Sequence, residues 1–291
     1  MKRALALLLA AVSFASAQQR PAITGIAFVR MYAADADASA AFYTGKLGFA
    51  RTVENGVAHY GLNHSQWIEV ARLPSPVPPT RLATVAFTTS DAAALERYLR
   101  AHSVPVVQSL RHNSFAVRDP EGNLIVFVQQ RAATVKDNPR ATSHRIIHAG
   151  FVVRDPAAED RFYRDLLGFR PYWHGGSKEG RTDWISSQVP DGTDWLEYML
   201  NTPPNATARQ LGVMNHVSLG VMHMNDAIQA LARNGCIGPE CSKSQMGLDG
   251  KVQLNLFDPD LTRIEYMEFE PSGTVCCSPF TGKQPSPTDP Q

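Results

Sequence analysis

"RIIHAGFVVRDPAAEDRFYRDLLGF", residues 145–169, reads as a strand, a turn, a helix and a glycine stop, with a histidine inside the strand. Strand alternation puts His148, Gly150 and Val152 on one face and Ala149, Phe151 and Val153 on the other. Asp155 is placed to cap a helix and Pro156 suits its first position. Ala158, Phe162 and Leu166 then recur every four residues, forming a stripe that needs a sheet to lie on. Gly168 closes the helix. The same order runs through residues 22–49, "AITGIAFVRMYAADADASAAFYTGKLGF", with the same "FYxxxLGF" ending and no histidine in the strand.

Proline-rich or polar breaks at 74–80, 129–144, 201–210 and after Pro271 cut the chain into four pieces. The first and third share "FYxxxLGF"; the second and fourth share a late Asp-Pro turn, in "VRDPEGNLIVF" and "LFDPDLTRIEY". In the fourth piece "NDAIQALARNG" is a helix whose stripe is Ile228, Leu231 and Ala232, stopped by Gly235. Alternating segments after each helix read as antiparallel strands. Each piece is therefore a strand, a helix and about three strands.

A net charge of +1, with no Lys/Arg run longer than a pair, leaves nothing to neutralise phosphates, so a nucleic-acid partner is excluded. The first residues, "MKRALALLLAAVSFASA", carry the marks of a secretory signal peptide cleaved after Ala17, which predicts a periplasmic or secreted protein. The apolar run from Ala4 to Val12 is shorter than the about 20 residues a membrane span needs, so no membrane attachment is expected after cleavage. Export permits disulfides. Cys236 and Cys241 are near enough to pair across a Gly-Pro turn, Cys276 and Cys277 are adjacent, and the four cysteines leave three connectivities open.

In "NHVSLGV", His216 shares a face with Ser218 and Gly220, as His148 does with Gly150, which leaves a hollow beside each imidazole. Glu197 follows His148 by 49 residues and Glu265 follows His216 by the same 49. Equal offsets in paired modules place the four groups around a pseudo-twofold axis. Two imidazoles and two carboxylates there suit one divalent first-row metal. Glu268 is a spare carboxylate. His174 and His223 are candidate acids or bases, more simply read as surface histidines, and Trp195, Met199 and Asn255 are candidate wall residues.

Four such modules resemble the vicinal oxygen chelate superfamily over residues 22–270, on the strength of "FYxxxLGF" and the Asp-Pro turn. The resemblance implies an α+β fold of four βαβββ modules paired into two cupped mixed-sheet half-barrels. The expected plan is a front pair at 22–130, a linker at 131–144, a back pair at 145–270 and a Pro/Ser-rich tail at 271–291. The order His, Glu, His, Glu, with Asn201 four residues past the first Glu, is similar to the metal set of bacterial glyoxalase I. It implies His148, Glu197, His216 and Glu265 as ligands to one divalent ion (Ni, Co, Zn or Fe(II)). Glu197 or Glu265 would be the catalytic base of a lyase or isomerase acting on a small carbonyl substrate. Export argues against the cytosolic glutathione adduct as that substrate.

Extradiol dioxygenases share His148, His216 and Glu265, which keeps an iron(II) ring-cleaving oxygenase as the alternative. They carry a catalytic histidine where Glu197 stands and a tyrosine where Asn255 stands. A third reading is a non-catalytic binder of the resistance-protein kind. By the same offsets the front half holds about Gly25, Thr84 and Val126 at the ligand positions, with only Glu69 surviving, so it has no ligand set. A chain paired internally can complete its cup alone, so no oligomeric state is implied.

Overall fold

The computed structural model describes residues 19–129 and 138–289; the expected signal peptide lies outside the described residues. The front half runs β1 (Ile23–Ala33), α1 (Ala36–Ala40), β2 (Ala50–Glu54), β3 (Val57–Gly61) and β4 (Trp67–Arg72). It continues with β5 (Leu82–Thr89), α2 (Ala92–Ala101), β6 (Val106–Arg111), β7 (Ser114–Arg118) and β8 (Leu124–Val128). The back half repeats the plan with β9 (Ile146–Val152), α3 (Pro156–Asp160), β10 (Arg170–Gly175), β11 (Trp184–Gln188) and β12 (Trp195–Met199). After a short α4 (Ala208–Met214) come β13 (His216–Val221), α5 (Met224–Arg233), β14 (Gln245–Met246), β15 (Val252–Phe257) and β16 (Arg263–Glu268).

Each half is one eight-stranded mixed sheet, in the orders β2-β3-β4-β1-β5-β8-β7-β6 and β10-β11-β12-β9-β13-β16-β15-β14. The opening strands of paired modules run antiparallel at the centre, and each is flanked by the parallel last strand of its own module. The fold is α+β, built from paired βαβββ modules. β9 and β13 are buried at every position, as central strands covered on both faces must be.

Three local expectations need correction. The expected stripe Ala158, Phe162, Leu166 gives way after α3 to a π turn over Arg161–Leu166, where the Leu167 N–H reaches the Phe162 carbonyl at 3.1 Å. The extra residue in the turn rotates the buried face to Glu159, Phe162, Tyr163 and Leu167. The helix after β1 does the same over Ala41–Lys46, so "FYxxxLGF" marks a helix that ends in a π turn. In α5 the buried side is Met224, Ala227 and Leu231, with Ala232 exposed, and Gly235 at φ +83° ends the helix. The segment 201–210, read as a break, contains the start of α4, which a Thr207–Gln210 capping box initiates.

The repeated motifs meet across the halves. Tyr43, in the front helix, donates to Asp258 in the back Asp-Pro turn at 3.0 Å; Tyr163, in the back helix, donates to Asp119 in the front one at 3.1 Å. Each aspartate also organises its own turn, Asp258 by accepting from the Asp260 and Thr262 N–H groups and Asp119 from that of Asn123. Around this reciprocal clamp, one hydrophobic core draws side chains from both sheets, with Phe87 set edge-on to Phe169 at 5.3 Å.

Described tail residues 271–289 fold back over the other face of the back sheet, where Val275 and Phe280 pack against a second apolar cluster of Ile147, Tyr172, Trp173, Trp195, Met267 and Phe269. The Cys276 carbonyl takes the Trp173 indole N–H at 3.1 Å, and Phe280 lies on Tyr172 at 4.9 Å. Arg145, just before β9, joins the Ser286 carbonyl at 2.7 Å to Asp194 at 2.7 Å. Asp194 in turn accepts from Ile26 of β1. The disulfides are Cys236–Cys241, as the turn spacing allowed, and Cys276–Cys277.

Glu159 is fully buried on the back helix; one oxygen accepts the Glu121 N–H and the other has no partner. Burial, then the charge of Asp119, pushes its carboxyl up to about 9. A carboxyl raised on folding stays protonated in the native state and ionises in the unfolded one, so stability falls as pH climbs from the usual carboxylate range towards 9. Glu159→Gln is expected to remove that slope, raising Tm by roughly 5 °C at pH 8 and little at pH 4.5, as measured by calorimetry.

Candidate metal centre

Four adjacent strands deliver one donor side chain each. His148 stands on β9, His216 on β13, Glu197 on β12 and Glu265 on β16, all on the face away from the common core. Register sets their convergence: Glu197 and His216 both pair with Gly150 from opposite sides of β9, while Ser218 pairs with His148 and Glu265. The Nε2 atoms of His148 and His216 are 3.0 Å apart. Glu265 Oε2 lies 3.2 Å from the first and 3.9 Å from the second. Glu197 Oε2 lies 4.0 and 3.6 Å from the same two atoms.

Gly150 makes this possible. A Cβ there would fall 2.1 Å from His216 Cε1, so the imidazole can cross β9 only where the strand has no side chain. Each ring is also held from behind. His216 Nδ1 is 3.2 Å from the Met214 carbonyl, which fixes that nitrogen as the donor and turns Nε2 to the site. His148 packs against Trp195 with ring centroids 4.6 Å apart and the planes tilted by 32°, and Trp195 is backed by Lys251 Nζ at 5.5 Å.

The electrostatics favour a cation. Burial lowers both histidines, His216 furthest, so both imidazoles are neutral at pH 7 and both present lone pairs. Burial, then the charge of Glu265, pushes the Glu197 carboxyl up to about 8. Burial alone would also raise Glu265, but Arg263 and the His148 contact hold its carboxyl well below the usual range. Glu265 Oε2 is nevertheless buried without a well-aligned donor. Donors about 2.1 Å from one tetrahedral ion stand roughly 3.4 Å apart, within the spread observed. Nitrogen and carboxylate ligands at these separations fit one divalent first-row ion. His148, Glu197 and His216 present one donor atom each within 4.8 Å of one another, and Glu265 joins them through its distances to the two imidazoles.

A cavity of about 220 Å³ opens on Glu197 and Glu265, walled by Trp173, Trp184, Met246 and Met267. Arg263, with its guanidinium 3.6 Å from Glu265 Oε1, and Asp249 also line it; sequence reading missed both. Arg263 was legible as the same-face neighbour two residues before Glu265, whereas Asp249 sits in a loop that no pattern marks. Asn255 pairs with Glu265 and so faces inward as expected, and Trp195 backs His148. Other candidates lie elsewhere. Glu268 accepts the Met224 N–H at the start of α5, and Asn201 binds Thr182 and Asp183. His174 and His223 are exposed, outside the cavity.

The front half shows what replaces the donors. Register aligns Glu69 with Glu197, Thr84 with His216 and Val126 with Glu265, as expected, but puts Phe28 rather than Gly25 at the His148 position. Phe28 also lies 120 residues before His148, the offset that separates Phe42 from Phe162 in the repeated motif, whereas the 123 residues back to Gly25 match neither repeated motif. Phe28 stacks on Trp67 at 5.0 Å, in the place where His148 packs at a tilt against Trp195. Arg30 occupies the Gly150 position and bonds Glu69 at 2.6 Å, so a guanidinium neutralises the surviving carboxylate.

Two outcomes follow from this geometry. Gly150→Ala is expected to lower divalent-metal affinity by about a hundredfold or more with the far-UV spectrum unchanged, measured by calorimetry, because the His216 ring must leave. At pH 7 only Glu197 carries a proton that metal must displace, so loading should release about one proton. Apparent affinity should then fall about tenfold per pH unit below 8. Titrations in buffers of different ionisation enthalpy measure that release, and Glu197→Gln should abolish it.

A model of the Glyoxalase/Bleomycin resistance protein/Dioxygenase superfamily matches residues 25–127 and 145–272. No curated protein matches the chain significantly. Among solved structures, it is similar to homoprotocatechuate 2,3-dioxygenase from Brevibacterium fuscum in its anaerobic complex with 3,4-dihydroxyphenylacetate. That match has 19% identity and a TM-score of 0.64, covering 91% of this chain and 83% of that one. The native enzyme of the same name from Arthrobacter globiformis matches at 20% identity and a TM-score of 0.63, over 86% and 80% of the two chains. At such identity the likeness is one of fold. Matched over both module pairs, this chain belongs to the Glyoxalase/Bleomycin resistance protein/Dioxygenase superfamily.

Proposed function

We propose that the chain is a metal-dependent enzyme that binds a small carbonyl substrate through paired oxygens and moves a proton next to that carbonyl, as a lyase or isomerase of glyoxalase I type. The observation that carries this reading is Glu197, a carboxyl where a ring-cleaving oxygenase would need an imidazole, set within 4.0 Å of both histidine nitrogens. His148, His216, Glu265 and Glu197 would hold the ion. When bound, it would supply Lewis acidity, polarising the carbonyl and stabilising negative charge on the substrate oxygens.

The protein's own groups do the rest. Burial beside Glu265 raises the Glu197 carboxyl to about 8 in the metal-free site. With that proton displaced on metal binding, the Glu197 carboxylate would be the group that takes a proton from the substrate and returns it. Glu265 stays ionised under the charge of Arg263, and the two carboxyls thereby take different roles. Trp173, Trp184 and Met267 restrict water at the cavity wall. Export, proposed from the first residues, would put the substrate outside the cytosol.

An iron(II) oxygenase using His148, His216 and Glu265 is the second reading, favoured by the four-module plan shared with the dioxygenases above. Glu197→Gln separates the two. An isomerase should lose about 10²–10⁴ in kcat with metal retained, since the base is gone. An oxygenase should lose less than about tenfold, and its iron-loaded form should consume oxygen with catechols, a result that would overturn the first reading.

A further inference from the structure

We propose that Arg263 selects the substrate and that the cavity takes an acid: a small flat molecule with two chelating oxygens and a carboxylate a few bonds beyond them. This rests on the metal reading above and adds to it the class of substrate.

The guanidinium faces Glu265 Oε1 at 3.6 Å, the oxygen other than the one 3.2 Å from His148. It is therefore displaced from the donor cluster by about the width of one carboxylate. Its remaining side-chain contact is Asn255 Oδ1 at 3.5 Å, the limit of a hydrogen bond, and its buried Nε has no partner at all. A guanidinium carries five N–H donors in a fork that matches a carboxylate, and most of this fork is unspent. Arg263 is also the one cation among the described residues lining the cavity.

Neighbouring charges are already committed. Lys251 directs its ammonium to the Phe269 carbonyl and towards the rings of Trp195 and Phe280. Asp249 accepts the Lys251 N–H, and burial pushes its carboxyl up to about 6. Two indoles and two methionines form the walls, which suits a flat apolar body. The front half supplies a contrast. Register puts Leu124 at the Arg263 position, and the cation there, Arg30, is consumed by Glu69 at 2.6 Å. A cavity-facing guanidinium thus accompanies the donor set and is missing where the donors are missing.

The test uses the full chain loaded with zinc, titrated calorimetrically with 3,4-dihydroxybenzoate and with its neutral isostere 3,4-dihydroxybenzamide. Wild type is expected to bind the acid at least about tenfold more tightly than the amide. Arg263→Gln should erase that preference, the acid losing at least about tenfold more affinity than the amide, and Arg263→Lys should keep part of it. An equal affinity of wild type for both probes, or an unchanged preference in Arg263→Gln and Arg263→Lys, overturns the proposal. So does an equal loss for both probes together with loss of zinc, which would make Arg263 a support for Glu265 alone. Failure of the metal reading is distinct: wild type would take up no zinc before any probe is added.

Discussion

The ring of His216 crosses strand β9 over Gly150, and the whole centre depends on the missing side chain there. Antiparallel pairing of β9 with β13 brings the two opening strands of the back modules together, and parallel pairing adds β12 and β16 on either side. Four neighbouring strands can then place four polar side chains on one face, but only if one position is hollow enough for an imidazole to lie across the backbone. In the front half Arg30 fills the corresponding hollow and a threonine replaces the histidine. Both halves solve the same electrostatic problem, a carboxylate buried on the sheet, one with an arginine and the other with donors arranged for an ion.

Rigidity comes from outside the site. The reciprocal Tyr43–Asp258 and Tyr163–Asp119 bonds tie each helix to the other half's Asp-Pro turn, so neither module pair can shift without dragging the other. Arg145 gathers β1, the strand pair around Asp194 and the tail at the foot of β9, three residues before His148. The tail covers Tyr172 and Trp173, and through Trp173 it reaches the cavity wall. Rotamers of the donors are therefore fixed by packing, which is what a site of sub-ångström tolerance requires.

Much of this was legible from residue order because strand alternation and equal spacing are local properties. The faces of β9 and β13, the helix stop at Gly168 and the 49-residue offsets all survive in the structure. What failed depended on extra residues or distant contacts. A π turn shifts the buried face of the third-piece helix, and the counterpart of His148 is Phe28, at the 120-residue offset of the repeated motif, rather than Gly25. Tail residues without periodicity gave no sign of packing on the back sheet. The Tyr–Asp clamp was hidden because the two motifs, each recognised as repeated, bond to each other only across the molecule. Arg263 went unread although alternation places it beside Glu265.

The central claim is that His148, Glu197, His216 and Glu265 grip a single divalent ion. Diffraction from crystals grown with zinc, recorded on both sides of its absorption edge, tests it most directly. The account predicts one anomalous peak per chain, between the two Nε2 atoms, with ligand distances of about 2.0–2.2 Å to nitrogens and carboxylate oxygens. A peak beside Arg30 and Glu69, or no peak at the four donors, would contradict it.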